Sequence, residues 1–251
     1  ADKNVALLEQ LLRLRHEKAS LLGYKTWADY ILETRMAKDA ASVKAFLAGL
    51  REHLQKHGTA EFAEFKALSD KLIGKRDHIP PSDRLYLEDQ LRSKKYGLDS
   101  KKVSEYFEVS KVQQGVMDIS SRIYGITFRP VKDLPKWHPE VSPMEIVGEG
   151  GKVLGRFYFD LHPREGKYKH AAVFGIRSSK TMTDGSRQMP IAAIVCNFPK
   201  GTEASPALMS HQDAVTFFHE FGHVLHHLLT TSELATFSGT SVARDFVEAP
   251  S

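Results

Sequence analysis

Residues 216–229, TFFHEFGHVLHHLL, restrict what this chain can become more than any other stretch. Five of the fourteen side chains can ligate a metal or carry a proton: His219, Glu220, His223, His226 and His227. Residues four apart on an α-helix share a face, about one turn along the axis. Two imidazoles so placed can hold one tetrahedral ion, with bonds near roughly 2.0–2.1 Å for zinc. A glutamate beside the first histidine can reach a water on that ion, whose pKa zinc draws toward about 7. His219, Glu220 and His223 therefore supply two ligands and a general base within five residues. With the chain's own His and Glu content, random placement yields roughly 0.04 such motifs. Phe218, Phe221, Leu225 and Leu228 are expected to form an apolar stripe beside the histidine face, docking the helix in a core. The bland rival is a core helix with incidental histidines.

His226 lies on the same face as His219 but about 10 Å away along a straight helix, too far for one ion. The extended metzincin pattern wants Gly at 226 and His at 229, where the chain has His226 and Leu229. His226 and His227 are thus expected to support or pack rather than ligate. A catalytic zinc needs a third protein ligand and one open position. Downstream, SGTSVARDFVEAPS offers Asp245 and Glu248 at i, i+3, on a helix that Thr240 or Ser241 would cap. Glu233 has too little chain to turn back. Spacing alone leaves Asp245 and Glu248 interchangeable, the one that does not ligate being available to orient a histidine.

The flanking pattern is helices, then a small sheet, then helices: mainly α with a small β-sheet. Helical periods run through 4–23, 26–36, 39–58, 59–74, 80–97 and 109–125, with Thr26 and Asp39 as caps and Gly23, Gly58 and Gly97 as stops. From residue 141 the signals are strand-like. PMEIVGEGGKVLGRFYFDLHP is a hairpin around GEGG, and HAAVFGIRSS and MPIAAIVCNFP are further strands. This divides the chain into a helical region (1–135), a small sheet region (136–200) and zinc-binding helices (201–251), together one partial catalytic domain. The apolar runs fall short of a membrane span. The net charge of +4 is dispersed and nothing resembles a nucleic-acid module, so neither membrane nor nucleic acid is an expected partner. The N-terminus, which lacks Met, does not read as a signal peptide and suggests a processed or excised chain. Cys196, the one cysteine, sits in apolar IAAIVCNF. It reads as a buried hydrophobe, and the lack of a disulfide partner suits a reducing, cytoplasmic setting. Asp160, His162, Arg164 and His170 in YFDLHPREGKYKHAA are expected to serve turns and sheet edges. Tyr158 and Tyr168 have no spacing that places them near a metal.

FHEFGHVLHHLL followed by FSGTSVARDFVEAPS closely resembles the M3 family of zinc metallopeptidases. LRHEKASLLGYKTWADYILETRMA, YFEVSKVQQGVMDISSRIYGITF and WHPEVSPMEIVGEGGKVLGRFYFDLHPREGKYKHAA extend the resemblance over nearly the whole chain. It implies His219, His223 and Glu248 as ligands of one Zn2+ and Glu220 as general base. It implies a zincin-like, mainly helical core with two lobes around a channel, acting on short peptides rather than folded proteins. In such peptidases an edge strand lies beside the substrate backbone, and either MPIAAIVCNF or AAVFGIRSS could supply it. Family chains are longer at both ends and carry later His and Tyr oxyanion donors, each typically worth about 10²–10³ in rate. The expectation is therefore an incomplete, central piece of the catalytic core, with bare apolar faces suited to self-association. The rival expectation is a zinc-binding but inactive fragment or pseudo-enzyme that acts by association.

Overall fold

The computed structural model describes residues 2–202 and 205–251. Packing divides the chain into two units: Ala1–Lys94 with Ala243–Phe246, and Lys95–Val242 with Val247–Ser251.

The first unit is helical. Helices α1 (Asp2–Leu21), α2 (Trp27–Leu32) and α3 (Ala40–Leu72) follow one another, and α4 (Arg84–Tyr96) begins after a single 3-10 turn. Thr26 caps α2 by accepting the Asp29 N–H at 3.1 Å, and Asp39 caps α3 by accepting the Ser42 N–H at 2.7 Å. Gly58 does not end a helix: α3 runs 33 residues straight through it. No proline follows to break the ladder, and one interior glycine costs only about 1 kcal/mol relative to Ala. Leu7, Leu8, Leu11 and Leu12 of α1, and Phe46, Leu47, Leu50 and Leu54 of α3, are exposed.

Among its described residues, the second unit contains α5 (Ser100–Ser104), α6 (Val109–Tyr124), seven strands and α7 (His211–Leu228). In α6, Val109, Val112 and Val116 fall three and four apart and are buried, as is the neighbouring Met117, and Gly125 closes the helix in the left-handed conformation (φ 64°). The strands are β1 (Thr127–Pro130), β2 (Ser142–Val147), β3 (Val153–Asp160), β4 (Ala172–Arg177), β5 (Lys180–Thr181), β6 (Arg187–Gln188) and β7 (Ile191–Val195). Five of them form a sheet in the order β1-β2-β3-β7-β4, and β5 pairs with β6 as a separate ribbon. The β2–β3 hairpin around GEGG is antiparallel as its turn residues suggest; β3 and β7 are parallel. Of the two candidate edge strands, β7 lies inside the sheet and β4 is the edge. β7 is apolar because it is covered on both faces, where a continuous apolar run belongs.

Helix α7 packs on one face of this sheet. Phe217, Phe221, Val224 and Leu228 are buried against Ile146, Phe157, Phe159, Ala192 and Ile194. Phe157 meets Phe159 edge-on at 4.9 Å and Phe221 at 5.8 Å, and Phe198 meets Phe217 at 5.4 Å. The stripe therefore starts at Phe217; Phe218 is 39% exposed. Cys196 is fully buried beneath this layer, and burial pushes its thiol up to about 12, so it is inert as a nucleophile.

A buried ionic knot ties the ends of β3 and β7. The Asp160 carboxylate accepts from both Arg164 guanidinium nitrogens (2.6 and 2.8 Å) and from Trp137 Nε1 (3.0 Å). Lys167 Nζ lies 3.0 Å from the same carboxylate and donates to the carbonyls of Asp160, His162 and Cys196. Nearby, His162 Nδ1 meets the Phe198 carbonyl, and the exposed His170 ring rests edge-on against Tyr168. Burial opposes ionisation of Asp160, but the bonds from Arg164, Trp137 and Lys167 outweigh it and hold the carboxyl well below the usual range. The unfolded group ionises near about 3.9. Its contribution is therefore complete above that pH and shrinks as pH falls below it, where the unfolded chain binds the extra proton. Asp160→Asn should lower stability at pH 7 by about 3–5 kcal/mol, as when one partner of a buried pair is removed. It should also flatten the acid limb of a plot of Tm against pH. An unchanged acid limb would remove the knot from the stability account.

Candidate metal centre

Helix α7 begins with a reciprocal cap: the Ser210 hydroxyl accepts the Asp213 N–H at 3.0 Å, and the Asp213 carboxylate accepts the Ser210 N–H at 2.9 Å. With the phenylalanine face fixed on the sheet, the opposite face presents His219 and His223. Their rings meet edge to face, centroids 4.8 Å apart. Both turn Nε2 toward one atom, Glu248 Oε2, at 3.2 Å from His219 and 3.1 Å from His223. One donor atom from each of the three residues lies within 4.8 Å of the other two. It is the one such group of three among the described residues.

Four bonds of about 2.0–2.1 Å at tetrahedral angles separate ligand atoms by roughly 3.3–3.4 Å. The two His–Glu separations are close to that value, and two neutral imidazoles with one carboxylate are a donor set suited to a borderline divalent ion such as zinc. The residues present fit such an ion. His223 is the more enclosed of the two imidazoles, with its side chain 13% exposed, against 41% for His219. Its Nδ1 is buried and makes no hydrogen bond among the described residues.

Glu248 does not arrive on a helix, as its spacing from Ser241 had suggested. Residues 244–250 form consecutive turns. Asp245 points elsewhere: its carboxylate accepts the N–H groups of Met36 at 3.1 Å and Ala37 at 3.0 Å, and these bonds hold its pKa below the usual carboxylate range. It therefore orients neither histidine. Glu233 lends its backbone carbonyl to Thr181 N–H at 2.9 Å and is absent from the cluster.

Glu220 is buried at 9% exposure on the turn between the two histidines. Burial pushes its carboxyl pKa up; His223 and His219 pull it down, Glu248 pushes it up, and a hydrogen bond with the Val173 backbone in β4 pulls it down, for a net rise. A carboxylate with raised basicity beside two imidazoles can take and release a proton. His219 also borders an apolar cleft of about 590 Å³ between α6 and α7, lined by Ile119, Ile123, Phe218 and Pro250. His226 lines an adjoining cleft of about 550 Å³ with Tyr124 and Phe237, and burial lowers its pKa. His227 is buried, its Nε2 3.1 Å from the Arg177 carbonyl. Neither belongs to the three-residue cluster.

One functional position escaped the residue pattern. A Cβ on Gly222 would lie 2.6 Å from Ser251 Cα and 3.1 Å from the Pro250 carbonyl. Glycine there lets the Glu248 segment lie directly on α7, between the two histidines. A glycine inside a strongly helical apolar pattern is the available signal, since it costs helix stability and asks for a packing reason.

The chain is similar to known proteins over nearly all of its length. The chain is 38% identical to the thimet-like oligopeptidase of Dictyostelium discoideum, over 99% of this chain and 38% of that protein. It is 37% identical to oligopeptidase A of Escherichia coli (strain K12), over 99% of this chain and 36% of that protein. It is 37% identical to saccharolysin of Saccharomyces cerevisiae (strain ATCC 204508 / S288c), over 99% of this chain and 37% of that protein. The chain thus spans little more than a third of the length of these curated relatives. The model of peptidase family M3 matches residues 1–251, so with its histidine pair, intervening glutamate and mixed sheet the chain belongs to peptidase family M3.

Proposed function

We propose that this chain carries the metal ligands and general base of a zinc-dependent oligopeptidase. His219, His223 and Glu248 would hold one Zn2+, and Glu220 would be the base. The observation that carries this reading is the convergence of His219 and His223 Nε2 on Glu248 Oε2, with the buried Glu220 carboxyl on the same helix turn. When bound, zinc would supply Lewis acidity, acidifying water and polarising the scissile carbonyl. Glu220 accepts the proton released by the attacking water on its carboxylate and delivers it to the departing amine nitrogen, so that the carboxylate is regenerated. Its burial raises its basicity for the first transfer, while His223 and His219 oppose that rise and favour release of the proton in the second. Edge strand β4 can add an extended peptide as a further strand. Val173 in that strand contacts Glu220, which supports a scissile bond held within reach of the base. Short peptides are the substrates this arrangement favours, because an extended backbone is needed along β4.

A second reading has one observation behind it. The exposed leucine rows of α1 and the exposed apolar row of α3 favour association, so the chain could bind zinc and act through its partners without turnover. Peptide cleavage decides between the two.

Glu220→Gln should retain about one zinc per chain by elemental analysis while cleavage of a quenched fluorescent peptide falls by at least about 10²–10⁴-fold, the usual worth of a positioned base. Persisting cleavage in that variant would refute the base assignment. Glu248→Ala should weaken zinc by more than about 100-fold, beyond the roughly 10–100-fold that loss of an orienting partner costs. Asp245→Ala, which removes only the Met36 and Ala37 bonds, should leave zinc affinity nearly unchanged. Zinc lost with Asp245 and kept without Glu248 would overturn the ligand set.

A further inference from the structure

We propose that His227 is a positioning residue that sets the distance between the zinc helix and edge strand β4, and with it the register of a bound peptide; this rests on the peptidase reading above. His227 lies one turn beyond His223 on α7, is 5% exposed, and takes no part in the metal cluster. Its ring is pinned from three sides. Nε2 lies 3.1 Å from the carbonyl of Arg177, the last residue of β4. A Cβ on Gly175, in the middle of β4, would come within 2.8 Å of Cε1. A Cβ on Gly239 would lie 2.9 Å from Nδ1 and 2.8 Å from His227 Cα. Gly239 stands in the segment that leads to Glu248, and its φ of 59° suits glycine.

One imidazole thus touches the helix that carries His219 and His223, the strand that would pair with substrate, and the chain that returns with Glu248. The same seam is stitched beyond the ring. Ser179 N–H donates to Ser238 Oγ at 3.0 Å, Thr181 N–H donates to the Glu233 carbonyl at 2.9 Å, and Arg187 donates to the carbonyls of Thr230 and Thr231. These bonds hold the chain after β4 to the loop after α7, whereas His227 reaches the end of β4 itself, four residues beyond the strand's bond with Glu220 at Val173. A peptide paired along β4 meets Glu220 at a distance set by the β4–α7 spacing. An error of about 1 Å in such positioning can cost about 10²-fold.

The test uses the intact protein with His227→Leu and His227→Gln, and has three readouts: zinc affinity by chelator competition, KM and kcat for a quenched fluorescent peptide, and the affinity of a labelled peptide for the Glu220→Gln background. Leucine fills the space without a donor for the Arg177 carbonyl; glutamine keeps an amide donor. His227→Leu should raise KM and weaken peptide affinity about tenfold, equivalent to about 1.4 kcal/mol, with zinc affinity held within about twofold. His227→Gln should recover most of the loss. Should His227→Leu fail to fold, Gly175→Ala presses the same joint from the strand side, and it should raise KM with zinc retained. Peptide affinity unchanged in His227→Leu or in Gly175→Ala, or no recovery with glutamine, would overturn the positioning role. So would zinc loss in step with peptide loss, because the ring would then merely support the helix. A wild-type protein that binds peptide without cleaving it would refute the hydrolytic reading alone, and peptide affinity would still decide the role of His227.

Discussion

The docking of one helix face on a sheet governs the rest of the second unit. Phe217, Phe221, Val224 and Leu228 lock α7 against β3 and β7, and aromatic rings in edge-on contact leave the helix little freedom to rotate. A helix has only one remaining orientation for its other side chains once that face is fixed. His219 and His223 are brought together by that constraint more than by any bond between them. Burial of Glu220 follows from the same docking, since it lies at the boundary between the packed face and the histidine face.

The second constraint is close approach. Turn residues 244–250 can bring Glu248 onto both imidazoles only because position 222 has no side chain. Asp245, three residues earlier, is engaged with Met36 and Ala37. The two acids are thereby separated in role by where the backbone lies, and the proposed ligation draws on the one that faces the helix. At the other end of α7, His227 occupies a gap that Gly175 and Gly239 leave open. Three glycines therefore set how tightly strand, helix and return segment fit around the proposed metal seat.

Much of this was legible in the residues. The four-residue spacing of His219 and His223, the glutamate between them and the hairpin at GEGG are local patterns, and local patterns translate directly into shared faces and turns. Family resemblance, not spacing, singled out Glu248 over Asp245; residue periodicity suggested a helix where consecutive turns occur. Phe217 and Phe218 are neighbours of equal hydrophobicity, so only the position of the sheet decides which is buried. Strand order was equally hidden. AAVFGIRSS and MPIAAIVCNF are both apolar, and which one is the edge depends on how β7 inserts between β3 and β4. The fusion of two helical segments across Gly58 shows the same limit, because a glycine stop signal has force only where the chain beyond it departs from the helix.

Zinc K-edge X-ray absorption on the metal-loaded protein tests the central claim most directly, since it reads the ligand shell itself. The account predicts about one zinc per chain with two imidazoles and one carboxylate in its first shell, and loss of the carboxylate contribution in Glu248→Ala with both imidazoles kept. A shell containing a single imidazole, or one unaltered by removing Glu248, would contradict it.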